Sequence, residues 1–444
     1  MRFIRMFFNK NNYYGFYTIV KIITFRREVP MSDLKVNGIV AEYNPFHNGH
    51  LYQLQDGKKR SEADYTIVVM SGNFMQRGTP AIINKFRRTE MALKSGADLV
   101  LELPALYSVS SAEFFAMGGV SILDKLGVVS HLCFGSESGD IDTLSRLADI
   151  LAEESEEFTN TLKQGLRQGL SYPSARTAAL TKLYPELMNC RDVLALSNNI
   201  LGIEYLKALK RRNSSITPIT TRRTSSNYGD RLMGNHQSSA LALRHAIYDE
   251  CDILSLTSQM PDSAFEILEK TLNSTGAIRL NDFSRILHYK LLTEADKGFT
   301  EYLDVSADLS DRIINHLDKF TDFKDFCDLL KSKDMTYTRI SRSLMHILLD
   351  IRAEDMDSAR NNDYISYARV LGFRKDAEPL LSAIKKNASI PLVTKLADAE
   401  KILDEAAYQT LKKELRINSV YESTAALKSK QAMVNEYRSP LVIV

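Results

Sequence analysis

Two histidines three residues apart, His47 and His50, flank Gly49 in the stretch Glu42-Tyr-Asn-Pro-Phe-His-Asn-Gly-His50. Imidazoles at such a spacing can donate hydrogen bonds to an anion or hold a metal. A zinc site would need further ligands of the usual type, yet no Cys or third His lies near in sequence and the HEXXH pattern is absent. The four cysteines, Cys133, Cys190, Cys251 and Cys327, are far apart and form no CxxC pair, so no metal site is expected and buried thiols in a reducing compartment are. The local order of residues favours phosphate. A short apolar run at 38–41 has the β-branched content of a buried parallel strand, Asn44-Pro45 breaks it, and 51–59 reads as an amphipathic helix. A strand, a turn and a helix N-terminus aim unpaired N–H groups and the positive end of the helix dipole at an anion. His47 and His50 can add side-chain donors, and Gly49 leaves room for a nucleotide against the backbone.

Further polar clusters follow later strand-like runs. Ser71-Gly-Asn-Phe-Met-Gln-Arg-Gly78 comes after the run 65–70, with Arg77 able to fork onto a phosphate or carboxylate. Taken alone it is a solvated surface loop; beside the histidines it reads as part of a site. Lys85, Arg87 and Arg88 open the next helix, where one of them is expected to reach a polyphosphate. Gly135, in Phe134-Gly-Ser-Glu137, would let an adenine or ribose pack close. Ser197-Asn-Asn199 opens another helix, one Asn being a cap, and Arg222-Arg223 closes a run at 217–221. Ser238-Ser239 with Arg244 is either an ordinary capped helix start or a second phosphate grip. No Ser-His-Asp set or activated Cys can be assembled, which suits a reaction carried by positioning and charge stabilisation.

In order along the chain, the block Glu42 to His50, Met70-Ser-Gly-Asn-Phe-Met-Gln-Arg-Gly78, Ser95-Gly-Ala-Asp-Leu-Val-Leu-Glu-Leu-Pro104 and Phe134-Gly-Ser-Glu-Ser-Gly-Asp140 resemble the bacterial tRNA(Met) cytidine acetate ligase family. The first block is similar to the HxGH signature of the wider nucleotidyltransferase superfamily. The likeness runs from about Val36 to beyond Glu400. It implies an ATP-dependent acetate ligase that forms acetyl-adenylate and transfers acetyl to N4 of the wobble cytidine of elongator tRNA(Met), releasing AMP and pyrophosphate. It also implies catalytic roles for His47, His50 and Arg77, with ATP and Mg²⁺ as the cofactors. ATP contacts are implied at Val40, Ala41, Glu42, Tyr43, Asn44, Pro45, Phe46, Asn48, Gly49, Leu51, Gly135, Asn198, Arg223 and Thr224. The family pattern has a basic-Pro pair before the Asn pair, where this chain has Leu196-Ser197. Substrate or tRNA contacts are expected at Ser71, Gly72, Asn73, Gln76, Lys85, Arg88, Arg339 and Arg342. Partners are then tRNA(Met) and acetate, in the cytoplasm, with no membrane and no obligate protein partner. Two rivals from other classes stand beside this reading: an adenylyltransferase acting on a phosphorylated small molecule, and a non-enzymatic RNA-binding protein that senses ATP.

The elements that must position these groups alternate. Strands are expected at 38–41, 65–70, 99–103, 131–134 and 217–221, with helices between them at 51–60, 86–95, 110–126 and 142–153, the signature of stacked βαβ units and a parallel sheet. Ligands in such sheets bind beyond the carboxyl ends of the strands. After about residue 247 no strand is expected. Helices are predicted at 264–272, 282–292, 308–318, 323–331, 337–352, 366–371 and over most of 395–415. The fold class is therefore α/β, a Rossmann-like nucleotidyltransferase domain over 31–250 and an α-helical, tRNA-binding domain over 251–444. On the latter, Arg339, Arg342 and His346 share a helix face, and Tyr367, Arg369, Arg374, Lys375, Lys385, Lys386 and Lys395 continue an aromatic-basic theme suited to RNA.

With 444 residues, 44% hydrophobic and 25% charged, the composition is that of a globular protein of two or three domains. Residues 1–30 carry six Lys/Arg and one acid, which turns the formal net charge of +2 into −3 for the remainder. An RNA partner must then meet a local basic patch. The leader reads as an upstream mis-start or a disordered tail ahead of a start at Met31, since Lys21 interrupts its apolar stretch and no small-residue cleavage site follows. No stretch reaches the roughly 18 uninterrupted apolar residues of a membrane span.

Overall fold

The computed structural model describes residues 34–444 except 171, 188–189, 224–238, 250–252 and 334. The expectations for residues 1–30, Thr224, Ser238 and Cys251 lie outside the described residues. In chain order the strands are β1 (Val36–Ala41), β2 (Tyr65–Ser71), β3 (Phe74–Met75), β4 (Thr79–Pro80), β5 (Leu99–Leu103), β6 (His131–Ser136), β7 (Thr217–Arg222), β8 (Ala368–Phe373), β9 (Leu392–Val393) and β10 (Val442–Ile443). The main sheet runs β10-β8-β5-β2-β1-β6-β7, with β9 on β8, while β3 and β4 make a small hairpin. The pairs β5-β2, β2-β1, β1-β6 and β6-β7 are parallel, so the first five long strands take the Rossmann-like order with the switch point between β1 and β6. These strands read as near-continuous apolar runs because helices cover both faces of the sheet.

All five expected strands are present, and the helices Asn48–Arg60, Lys85–Lys94, Ala112–Lys125 and Ile141–Glu153 lie between them. The C-terminal half is mainly helical, as the sequence implied, but it is not strandless. Its strand β8 stands where a helix was expected at 366–371, pairing antiparallel with β5, and β10 pairs with β8. The reason is burial. The strand Ala-Arg-Val-Leu-Gly-Phe is covered on both faces, so it shows no alternation, and a short buried run of that kind does not distinguish strand from helix. Residues 35–444 accordingly form one unit, and the boundary expected at 250 separates stretches of chain, not bodies.

What stitches the C-terminal half to the sheet is ionic. Lys85 Nζ lies 2.5 Å from Glu102 Oε1 and 2.9 Å from Glu436 Oε1, and Arg369 reaches the same carboxylates at 2.9 and 2.6 Å. Two cations and two anions cancel, with all four side chains almost wholly buried. Burial works against the Glu102 charge, but Lys85 and Arg369 outweigh it and hold its carboxyl below the ordinary range. Next to them Glu414 accepts from the Ala105 N–H at 2.8 Å, and burial together with the Glu102 charge pushes its pKa up to about 8. The expected RNA contacts Lys85, Arg369 and Tyr367 are thereby removed from the surface. His346 is buried as well, its ring nitrogens 2.7 and 2.8 Å from the carbonyl oxygens of Leu303 and Val109. Arg342 is mostly buried beside Asp304, while Arg339 stays exposed. Among the described residues no helix is long and apolar enough to cross a membrane.

Breaking a buried ion pair strands an uncompensated charge. Lys85→Met should therefore lower stability by about 3–5 kcal/mol in urea denaturation, whereas Arg87→Ala, at an exposed position, should stay within about 0.5 kcal/mol. Equal urea midpoints for Lys85→Met and the parent would dismiss the cluster as a structural tie. Glu414 is neutral when folded below about 8 and ionises near the ordinary 4.5 when unfolded, so its cost to folding grows as pH rises through that window. Glu414→Gln should gain on the parent over the same window.

Candidate active site

His47 and His50 are set by the first turn of the helix Asn48–Arg60. His47 is its N-cap, and its Nδ1 accepts from the Gly49 N–H at 3.0 Å. The His50 Nδ1 accepts in turn from the His47 N–H at 3.3 Å, closing a capping box built from two imidazoles. Their rings stack with centroids 3.7 Å apart. Gly49 is required by this packing. A Cβ there would come within 2.9 Å of the His47 ring, so the space the sequence assigned to a nucleotide is used by the imidazole.

The capping fixes the chemistry of both rings. A nitrogen that accepts from a backbone N–H carries no proton, so each neutral ring keeps its proton on Nε2 and offers it as a donor. Burial, then the charges of Arg223 and Arg244, lower the His47 pKa to about 3. Burial, His47 and Arg223 hold His50 well below its ordinary range. The pair are therefore neutral donors, and the positive charge at the site comes from the arginines.

Around them is a cavity of about 170 Å³ at the carboxyl ends of β1 and β6, where the strand order reverses. A larger cavity of about 620 Å³ lies between Pro104–Tyr107, the segment 351–367 and the helix Glu405–Ser429; it contains neither histidine. Chemistry places the site in the smaller one. From β1 and its turn come Val40, Ala41, Glu42, Tyr43 and Asn44. The turn is held from both sides: Asn44 Oδ1 accepts from the Ile82 N–H at 2.9 Å, and its carbonyl accepts from Arg244 at 2.7 Å. Tyr43 sits at φ +48°, a left-handed conformation rare for a bulky side chain and found where strain serves a site.

Gly135 ends β6 against the Arg223 side chain, 3.3 Å from where its Cβ would stand. Arg223, Ser239 and Arg244 all line the cavity, the last two on the capped helix Ala240–Tyr248. Asn198 lines it too, but its amide nitrogen is committed to Glu137 at 2.7 Å, which also accepts from the N–H groups opening the helix Ser197–Arg211.

Several expected contacts lie elsewhere. Pro45, Phe46, Asn48, Gly49 and Leu51 do not line the cavity; Phe46 is core, and Asn48 donates to the Ser258 carbonyl at 2.9 Å. Of the loop after β2, only Gln76 and Arg77 reach the cavity. Ser71, Gly72 and Asn73 are buried, Asn73 accepting from the Lys85 N–H at 2.8 Å. Arg88 is buried as well and touches no surface. Its guanidinium donates to the carbonyl oxygens of Glu42, Ser71, Gly72 and Ile83, and so pins the ends of β1 and β2 together. Tyr205, Phe115, Phe134, Leu201 and Leu241 also line the site, unforeseen because each lies on an element whose own pattern reads as plain core.

The HIGH Nucleotidyl Transferase family profile matches residues 34–436. The chain is 42% identical over 396 residues to a tRNA(Met) cytidine acetate ligase of Acetivibrio thermocellus, covering 87% of this chain and 94% of that protein. It is 39% identical over 406 residues to the like-named protein of Caldanaerobacter subterraneus subsp. tengcongensis, covering 91% and 98%. Crystal structures of Thermotoga maritima TmcAL superpose with TM-scores of 0.86 (apo) and 0.83 (bound with alpha-thio ATP), each at 32% identity over 93% of this chain and 100% of that one.

Since the His47 pKa falls from 6.5 to about 3, the folded chain forgoes a proton that the unfolded chain takes up below 6.5. This histidine therefore turns against folding as pH drops through that window. Imidazole ¹⁵N spectra of the ligand-free protein should show both rings as Nε2–H tautomers, with no His47 transition near 6.5. A His47 signal titrating at its ordinary value would refute the neutral-donor assignment.

Proposed function

The chain belongs to the HIGH nucleotidyl transferase family and, within it, to the tRNA(Met) cytidine acetate ligases, and from that premise we propose how its site works. The chain is an ATP-dependent ligase. It activates acetate as acetyl-adenylate and passes the acetyl group to N4 of the wobble cytidine of elongator tRNA(Met), in the cytoplasm. The observation that carries the reading is the pair of neutral Nε2–H imidazoles, backed by Arg223 and Arg244, at the switch point of the sheet. Such a set grips a triphosphate by fixed donors and nearby positive charge, without spending a titratable proton.

In the first step an acetate oxygen attacks the α-phosphorus and the bond to the bridging oxygen of pyrophosphate breaks. His47 and His50 donate to the phosphate oxygens as charge shifts onto the leaving group, with Arg77 at the cavity mouth. Mg²⁺, when bound, would supply charge neutralisation on the triphosphate. Among the described residues no group of three His, Cys, Asp or Glu is placed to hold a metal ion. In the second step the cytidine amine displaces AMP. For the tRNA, Arg339, Lys375, Lys385, Lys386 and Lys395 are the exposed cations of the expected set, and Gly78, next in sequence to the cavity-lining Arg77, packs against the backbone of Ser341 and Arg342.

Incubation with labelled acetate, ATP and bulk tRNA should yield labelled N4-acetylcytidine on nucleoside analysis. His47→Ala and His50→Ala should each cut acetate-dependent ATP–pyrophosphate exchange by about 10²–10³, the cost of losing one fixed donor to developing charge. Pyrophosphate release that ignores acetate and responds to a phosphorylated small molecule would favour the adenylyltransferase instead. Undiminished tRNA modification in cells carrying His47→Ala would favour the ATP sensor.

A further inference from the structure

We infer that Glu42, Gln76 and Tyr205 form the seat of the cytosine ring that accepts the acetyl group, with Glu42 taking the amine proton. The inference rests on the reading above that the acceptor is a cytidine. Its starting point is three polar groups without complete partners in one cavity, which Tyr43, whose hydroxyl is likewise unpartnered among the described residues, also lines. Tyr205 is 2% exposed, and among the described residues neither its hydroxyl nor the buried amide nitrogen of the half-buried Gln76 has a hydrogen-bond partner. Glu42 accepts from the Gln76 backbone N–H at 2.8 Å through one oxygen, and its other oxygen has no donor among the described residues. Leaving a buried polar group unpaired costs about 1–3 kcal/mol, so two such donors beside a half-satisfied carboxylate mark a place built for a ligand.

The three come from separate elements and are held firmly. Glu42 ends β1, whose carbonyl Arg88 grips, and Gln76 follows the hairpin strand β3 beside it. Tyr205 is brought in by the helix Ser197–Arg211. That helix lies close on β6 because Gly202 faces the Phe134 ring, where any Cβ would come within 2.6 Å. Phe134 and Tyr205 sit with ring centroids 5.6 Å apart. Burial, and then the charge of Glu42, push the Tyr205 phenol well above its ordinary range, so it remains a donor and lies within the field of that carboxylate.

The order of functions selects the ligand. The pairing edge of cytosine offers an amine donor followed by two acceptors, N3 and O2. Against it the cavity offers an acceptor, Glu42, and two donors, Gln76 and Tyr205. Acetate and the triphosphate bring only negative oxygens, which Glu42 repels. Adenine brings one donor and a single acceptor on the same edge, leaving a buried donor unpaired. Uracil sets a carbonyl oxygen against the carboxylate, where cytosine sets its amine.

The same contact assigns a chemical role. As the N4 lone pair forms the C–N bond to the acetyl carbon, the N4 proton passes to the Glu42 carboxylate. The bond from the acyl carbon to the AMP oxygen breaks and its electrons leave with AMP. Cytidine, acetyl-adenylate and the carboxylate thus give N4-acetylcytidine, AMP and a protonated Glu42, with nothing further consumed.

The test pairs two readouts on the full chain. Fluorescence anisotropy compares anticodon hairpins carrying C or U at the reacting position, and acetate-dependent ATP–pyrophosphate exchange follows the first step without RNA. The parent should prefer the C hairpin by about ten-fold or more, the worth of a well-paired base edge. Tyr205→Phe and Gln76→Ala should each weaken binding of the C hairpin and slow acetyl transfer far more than exchange. Glu42→Gln should relax the preference, because an amide can turn its NH₂ toward the uracil O4 as readily as its oxygen toward N4, and lose transfer by about 10²-fold or more, as expected for a missing base. Affinity for the C hairpin unchanged in Tyr205→Phe and Gln76→Ala, with KM for ATP or acetate raised in exchange, would assign the seat to the first step and overturn the inference. A parent protein that exchanges pyrophosphate with acetate but acetylates no tRNA would instead refute the reading beneath it.

Discussion

The site depends on how the first turn of one helix satisfies its own backbone. Helix N-termini leave N–H groups without partners, and a Ser or Asp usually accepts from them. Here two imidazoles accept instead, and that choice settles their tautomers, their stacking and their neutrality together. An Nδ1 occupied by a backbone N–H leaves Nε2–H as the only face a ligand can meet. Burial beside Arg223 and Arg244 then removes any tendency to protonate. The capping bond and the ligand bond are made by opposite edges of one ring, so folding of the helix and readiness of the site are a single event.

A second constraint acts at a distance. Charged side chains buried in the sheet layer, Lys85, Glu102, Arg369 and Glu436, join positions up to 351 residues apart in sequence. Such clusters contribute little net stability, because desolvation offsets attraction, but they fix register: each charge tolerates only the arrangement that pairs it. They determine where β8 lies beside β5 and where residue 436 closes over both. Arg88 extends the same logic toward the site. Its guanidinium spends its donors on carbonyl oxygens at the ends of β1 and β2, and those ends carry Glu42 and the loop that presents Gln76.

These two constraints explain what could be read from the residues alone. Strands β1, β2, β5, β6 and β7 were legible because turn residues bound short β-branched runs and helices of ordinary period separate them. The histidine pair was legible because its signal is local, six residues from strand end to ring. Glu42 and Gly135 fell on strand ends and were legible for the same reason. Lys85, Arg88, Arg342, Tyr367 and Arg369 were misread as surface because a charged or aromatic residue on a helix or strand carries no mark of the partner that buries it. Gly49 was read as room for a ligand, although the His47 ring fills that room. Tyr205 left no trace, since a tyrosine on the buried face of a helix looks the same whether its hydroxyl meets protein or substrate.

Separating hydrogen-bond donation from charge has a physical consequence for a reaction in two parts. Imidazolium rings would grip a triphosphate more strongly, but they would hold pyrophosphate and AMP as products just as firmly, and their grip would vary across physiological pH. Neutral rings donate along fixed directions whatever the pH, and the guanidinium groups, charged at every working pH, supply the attraction. Arg223 follows β7, on the far side of the switch point from the histidines' own turn, while Arg244 comes from the helix Ala240–Tyr248 and grips the Asn44 carbonyl of that turn. Charge and direction are thus contributed by different parts of the chain. A displacement of Arg223 would alter affinity and leave alignment untouched, which is the arrangement a site needs when it must bind a polyanion, rearrange it and still let the pieces go.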